Sequence, residues 1–218
     1  MIPLRDSYPT REKPVVTYFL ILVNVFVLLL EVLAPDLDAF INQYALIGAK
    51  VNFLIPSSLW PFLTFQFLHG GFFHLLSNMW FLKIFADNVE ERMGHFKFLL
   101  FYLFSGVFAG FSQYIFLSGS DVPMIGASGS VAGILGAYFV FFPHHVIETL
   151  IPVFGFWRII ELPASFMLFY WFITQLFAGI ATLSLASLGG VAFFAHAGGF
   201  LAGWLIAKRF RHSGSGVR

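Results

Sequence analysis

Ser128 stands in the run Gly126-Ala127-Ser128-Gly129, and His196 in Ala195-His196-x-x-Gly199. An alcohol and an imidazole are the two groups from which a serine nucleophile is built: the hydroxyl attacks a carbonyl only when a neighbouring base takes its proton. The negative oxygen that results needs hydrogen-bond donors. His74 and Asn78, four residues apart and so on one face of a helix, are candidates for that task. Ser128 opens an apolar run, so it falls at a helix start, where the first backbone N–H groups have no partner within the helix and form donors of the same kind. With 0 Cys in the chain, thiol catalysis, disulfides and thiolate metal sites are excluded. There is no H-E-x-x-H helix, and His144-His145 has no further His or carboxylate support, so neither a metal nor another cofactor is expected. None of the 11 acidic residues falls in the same part of the runs that carry Ser128, His196 and His74. Asp121 comes nearest, from a loop, and whether it assists is left open. A Ser–His dyad is therefore the better reading than a triad.

The elements that must position these groups are membrane helices. The chain of 218 residues is 59% apolar and 11% charged, against about 25% charged in an average soluble domain. So much apolar surface needs lipid as part of its solvent. A net charge of +1 argues against nucleic acid as the main partner. Six runs approach the roughly 20 apolar residues of a spanning helix: 16–33, 70–86, 98–117, 128–142, 164–182 and 191–207. The first is not a cleaved leader, because no small-x-small pattern follows it. The expectation is an all-α, polytopic membrane protein: a tail over 1–15, a six-helix domain over 16–210 and a disordered tail over 211–218. The connection 34–69 between the first two runs is unusually apolar and carries Trp60, which suits an interfacial position.

Lysine and arginine set the orientation. Arg5, Arg11, Lys13, Arg92, Lys97, Arg158 and the Lys208-Arg209 end fall on one side of the six runs, and only Lys50 on the other. Both termini are then cytoplasmic, with 34–69, 118–127 and 183–190 outside. The second, fourth and sixth runs all descend from the outer side, so Ser128, His196, His74 and Asn78 share the outer part of the membrane. Polar groups there are costly and call for a reason. From Ser128 to Pro143 there are about 15 residues, roughly 22 Å of helix against a hydrocarbon core of about 30 Å. Ser128 is then submerged below the outer interface.

Small residues recur every fourth position on two runs: Gly129, Gly133 and Ala137, then Gly199, Gly203 and Ala207. Such stripes let membrane helices approach closely. His196 lies one turn before Gly199 and Ser128 beside Gly129, so packing the stripes together would bring hydroxyl and imidazole within reach.

Together, Gly126-Ala127-Ser128-Gly129, Ala195-His196-x-x-Gly199, and His74-x-x-x-Asn78 preceded by Phe67-Leu68-His69-Gly70-Gly71 resemble the rhomboid family of intramembrane serine proteases. Glu90-Glu91-Arg92-Met93-Gly94 is similar to that family's acid-to-glycine turn. The resemblance covers roughly 60–210. It implies Ser128 as nucleophile, His196 as base and then acid, and an oxyanion site from Asn78, His74 and the Ser128 N–H beside Gly126 and Gly129. It implies a gate and cap from the fifth run (Phe169, Tyr170, Trp171) with 183–190. It also implies single-span membrane proteins as substrates, cut near the extracytoplasmic surface, with lipid as the other partner and a prokaryotic plasma membrane as the location. The oligomeric state stays open.

Two positions depart from the family pattern. Trp60 is followed by Pro61 where many members carry Arg, and Ala132 stands where some members stack an aromatic ring on the histidine. His196 must then be oriented by another group, with Phe193 and Phe194 as candidates. Plainer readings stand beside these. Ser128 alone is a common helix cap, and His196 alone a polar packing residue. His69 ties the outer loop to the second run, Glu90 and Arg92 form an ion pair or loop brace, and His144-His145 solvate the inner interface. The alternative function is a catalytically inactive relative that binds membrane-protein clients. A transporter is disfavoured by the lack of an inverted repeat or central charges.

Overall fold

The computed structural model describes residues 1–153, 155–182 and 192–213. Helix α1 (Val15–Leu33) is followed by α2 (Leu37–Tyr44) and the short α3 (Pro61–Thr64), which lie in the connection to α4 (Phe72–Met93). Then come α5 (His95–Leu117), α6 (Ser128–Phe141), α7 (Ala164–Thr182) and α8 (Phe193–Ser213). Among the described residues, α1 and α5 are long and apolar enough to cross a membrane; α6 and α7 contribute shorter apolar stretches. Helices α4 and α8 outrun their apolar segments because Asp87 to Arg92 and Lys208 to Arg211 continue the helix in charged turns. The outward faces carry exposed Phe26 and Leu33 on α1, Phe104 and Ile115 on α5, and Phe169 and Phe177 on α7. An apolar belt of this kind suits lipid rather than water.

Helix α6 is the hub. It packs against α4, α5, α7 and α8, and nearly all of its residues from Gly129 to Val140 are buried. A helix enclosed on all sides needs small or apolar side chains all round. Its glycines and alanines meet that need and set the neighbours close.

The all-α expectation requires a correction. Strands β1 (Ile2–Asp6), β2 (Val146–Val153) and β3 (Phe156–Pro163) form an antiparallel sheet in the order β1-β2-β3. The segment after α6 is charged enough to read as a connection, yet Val146, Ile147, Thr149, Ile151, Ile159 and Ile160 are β-branched residues that favour a pleated surface. Its turn uses Gly155 at φ +84°, a left-handed conformation that suits glycine. β1 comes from the far end of the chain, and no local pattern announces that pairing. Arg5 reaches Glu148 at 2.5 Å, and this hydrogen bond and charge raise the guanidinium's pKa further. The Tyr138 hydroxyl on α6 donates to Asp6. His145 lies 3.0 Å from that hydroxyl and stacks on Tyr8 at 4.0 Å, so it packs rather than merely solvates an interface.

Glu90 is a brace and not the ion-pair partner of Arg92. Helix α1 starts after Pro14 with no side-chain cap of its own. Glu90, 1% exposed, accepts from Val16 N–H (2.8 Å), Thr17 N–H (2.8 Å) and the Thr17 hydroxyl (2.6 Å), and meets His95 Nδ1 at 2.5 Å. Glu91 accepts from Arg11 N–H at 3.0 Å. Glu90 thus caps α1 from α4, satisfying donors that any helix start leaves free, and Glu91 fixes the chain just ahead of it. Arg92 lies over the Phe141 ring at 5.8 Å instead of pairing with Glu90.

Candidate active site

Ser128 is the first residue of α6, and Ala127 before it offers no side-chain cap. The approach to it is clamped. Met124 and Leu46 exchange N–H···O bonds of 2.9 and 3.1 Å, and Gly126 N–H donates to Phe65 O at 2.9 Å. Beneath, the Ser130 hydroxyl donates to Gln66 Oε1 at 2.8 Å, and Gln66 Nε2 donates to Leu63 O at 3.0 Å. The connection before α4 is thereby tied to the first turn of α6.

Gly126 has a specific task. Its φ of +124° is one that side-chain-bearing residues rarely adopt, and a Cβ there would lie 2.8 Å from His74 Nε2 and 3.8 Å from Ser128 Oγ. Imidazole and hydroxyl therefore flank one bare backbone position. His74 Nδ1 accepts from Gly70 N–H at 3.3 Å. In a neutral ring that leaves the proton on Nε2, the atom facing Gly126. Asn78, buried one turn along, donates Nδ2–H to His74 O at 3.2 Å.

His69 ties the approach together as the sequence suggests. Its N–H donates to Glu31 Oε1 on α1 at 2.9 Å, its Nδ1 lies 3.2 Å from Phe67 O, and its ring meets His74 edge-on at 5.1 Å. Burial first, and the neighbouring His74 second, pull the His69 imidazole down to about 4. Glu31 was not singled out from the sequence. An acid near the end of an apolar run reads as a boundary, and its partner lies 38 positions away.

The small-residue stripes meet as their spacing predicts. A Cβ on Gly199 would collide with Gly129 O, and one on Gly203 with Gly133 O. Backbone therefore lies directly on backbone along the α6–α8 seam. The same seam sets Ala195 O 3.9 Å from where a Gly129 Cβ would stand, so the turn of His196 flanks the turn of Ser128. Among the described residues no hydrogen bond joins Ser128 to His196. Catalytic hydrogen bonds are often long in unliganded enzymes and tighten with substrate.

His196, 9% exposed, is held from α7. Its Nδ1 lies 2.7 Å from Gln175 Oε1. Trp171 lies over it at 5.8 Å with planes 32° apart, and Phe193 meets it edge-on at 6.4 Å. Phe194 instead stacks on Phe116 at 4.0 Å. The aromatic partner that Ala132 cannot supply from α6 thus comes from Trp171 on α7. Ala195 N–H donates to Gln113 Oε1 on α5 at 3.1 Å. Gln175, Gln113 and Gln66 escaped the sequence reading, although each is an uncharged polar residue inside or beside an apolar segment, where every such group needs a partner. Among the described residues, no hydrogen bond or ion pair joins Asp121 to these groups. The cap segment 183–190, Gly189-Gly190 and residues 214–218 lie outside the described residues.

The Rhomboid domain family model matches residues 56–213. Among curated proteins, RHOMBOID-like protein 4 of Arabidopsis thaliana is 33% identical over 147 residues, covering 67% of this chain and 33% of its own length. Rhomboid protease GluP of Bacillus subtilis is 35% identical over 127 residues, 57% of this chain and 24% of its own length. Rhomboid protease AarA of Providencia stuartii is 28% identical over 207 residues, 88% of this chain and 70% of its own length. The chain spans about a third of the first of these relatives. A family match over most of the chain, on a helical bundle with an apolar belt, agrees with the seam of α6 and α8 and with the turns that carry Ser128 and His196: the chain belongs to the rhomboid family of polytopic membrane proteins.

Proposed function

We propose that the chain is an intramembrane serine endopeptidase with Ser128 as nucleophile and His196 as base. It crosses the membrane six times, through α1, α4, α5, α6, α7 and α8, with both termini cytoplasmic and the Ser128 end outward. Ser128 Oγ attacks the scissile carbonyl while His196 Nε2 takes its proton. The oxyanion receives hydrogen bonds from the free N–H groups at the start of α6, from His74 Nε2 and from Asn78 Nδ2. His196 returns the proton to the leaving amine, and water releases the acyl group by the same route in reverse. Substrates are single-span membrane proteins, which reach the site past α7 and are cut near the extracytoplasmic surface. Glycines Gly126 and Gly129 keep the approach to Ser128 free of side chains, and Gly133, Gly199 and Gly203 fix the two catalytic helices against each other.

One observation carries this reading: Gly126, a bare position in a clamped turn, lies between the His74 imidazole and the Ser128 hydroxyl. A helix cap alone would not need that imidazole. The test is labelling with a fluorophosphonate or isocoumarin, together with cleavage of a fluorogenic single-span substrate in detergent at neutral pH. Wild type should label and cleave, while Ser128→Ala and His196→Ala should do neither. Equal cleavage by wild type and Ser128→Ala ends the protease reading. Folded wild type that neither labels nor cleaves favours an inactive client-binding relative.

A further inference from the structure

Resting on that reading, we infer that Gln175 is a positioning residue for the base: it accepts the Nδ1–H of His196 and so leaves Nε2 bare toward the Ser128 turn.

A neutral imidazole carries one proton on one of two nitrogens, and only the bare nitrogen can act as a base. In a serine triad a carboxylate settles which nitrogen that is. No acidic residue contacts His196 among the described residues, and aromatic packing cannot settle the question. Trp171 at 5.8 Å and Phe193 at 6.4 Å hold the plane of the ring but do not distinguish Nδ1 from Nε2. Gln175 Oε1, at 2.7 Å from Nδ1, does distinguish them, because a carbonyl oxygen can only accept. The main-chain N–H of His196 donates to Ala192 O at 3.1 Å and holds only the backbone; as a donor it cannot accept Nδ1–H.

The geometry around Gln175 fits a fixed contact. It lies on α7 one turn after Trp171, so the same face of α7 supplies both the ring over His196 and the acceptor for it. The ring of Phe172 on α7 stacks on Phe200 of α8 at 4.7 Å, one turn along from His196. A neutral amide does this without the desolvation cost of a buried carboxylate. The site is then a dyad in its reacting groups, with a third, uncharged group from a third helix.

The experiment uses the full chain in detergent. Gln175→Met keeps the length and removes the acceptor, and Gln175→Glu keeps the acceptor oxygen. Turnover of the fluorogenic substrate is separated into kcat and KM, and 15N spectra of histidine-labelled protein, assigned with His196→Ala, report which nitrogen bears the proton. The wild-type spectrum should show His196 protonated on Nδ1. Gln175→Met should lower kcat on the order of tenfold, as loss of an outer partner does elsewhere, with KM within about twofold and a mixed tautomer signal; Gln175→Glu should recover most of the rate. Wild-type kcat in Gln175→Met overturns the inference, as does a wild-type His196 protonated on Nε2. The spectrum decides even where a variant folds poorly. If wild type neither labels nor cleaves, the protease reading fails and takes this role with it; if wild type is active and Gln175→Met equals it, this inference alone falls.

Discussion

Helix α8 packs on α6 and on α7 by opposite means. Against α6 the contact is backbone on backbone: Gly199 and Gly203 lie against the carbonyls of Gly129 and Gly133, with no room for a single Cβ. Against α7 it is ring on ring: Phe172 on Phe200, and Trp171 beside both Phe200 and His196. Where bare glycines meet backbone the seam has one register, since a slide there drives Cα into carbonyl. A seam of rings has several packings of similar energy, and here one polar contact, Gln175 Oε1 to His196 Nδ1, pins it at a single point. The seam that joins the helices carrying Ser128 and His196 is the fixed one, and the seam between α7 and α8 is the one built of larger side chains. His196 sits between them, its backbone set by the first and its ring held by the second.

The comparison fails if the two seams respond alike to substitution. Gly203→Val should lose about 3 kcal/mol or prevent folding, because its side chain has only the Gly133 carbonyl to displace. Phe172→Leu on the other seam should lose less than about 1.5 kcal/mol. Thermal unfolding in detergent compares the two, and equal midpoints would remove the distinction. Glu90→Ala tests whether fixity extends beyond glycine: it strips Val16, Thr17 and His95 of a buried acceptor. It should lower stability by about 2–3 kcal/mol, with early proteolysis ahead of α1 as its signature. Trp171→Ala should cut turnover by up to about tenfold and shift the midpoint only slightly; a large loss of stability with unchanged turnover would make α7 a structural seam like α6.

The smallest effect concerns acid. The folded His69 ring stays neutral down to about 4, below its ordinary value of 6.5. The unfolded chain therefore takes up a proton in that interval that the folded chain refuses. Stability from this residue is complete above pH 6.5 and is lost as pH falls toward about 4. His69→Gln should flatten the pH dependence of the unfolding midpoint between those limits, and an unchanged slope would assign the acid sensitivity elsewhere.

The fold was legible where its signals are local. Among the described residues, apolar runs gave α1 and α4 to α8 to within a few residues, except where charged residues extended α4 and α8 beyond them. Fourfold glycine spacing gave the α6–α8 contact, because small residues at that interval have little other use in a membrane helix. The β2–β3 hairpin was not read because its charged residues suit a connection, and β1 because it finds β2 from a distant part of the chain, at a register such as Ile2 with Leu150. The sequence named Trp171 only through the resemblance and did not point to its ring contact with His196. Gln175 was not singled out because nothing in its own segment points to α8.

The sequence by itself determined the solvent, the membrane class and which residue types stand at the start of α6 and α8, since composition, hydropathy runs and residue chemistry are properties of single segments. Tertiary structure decided which groups hold them: Glu90 for the start of α1, Glu31 for the turn before α4, Gln175 and Trp171 for the imidazole. The physical reason is that a buried polar group must find a partner, but any acceptor at hydrogen-bond distance will satisfy it. Sequence states the need, and only the packing of distant helices selects which residue meets it.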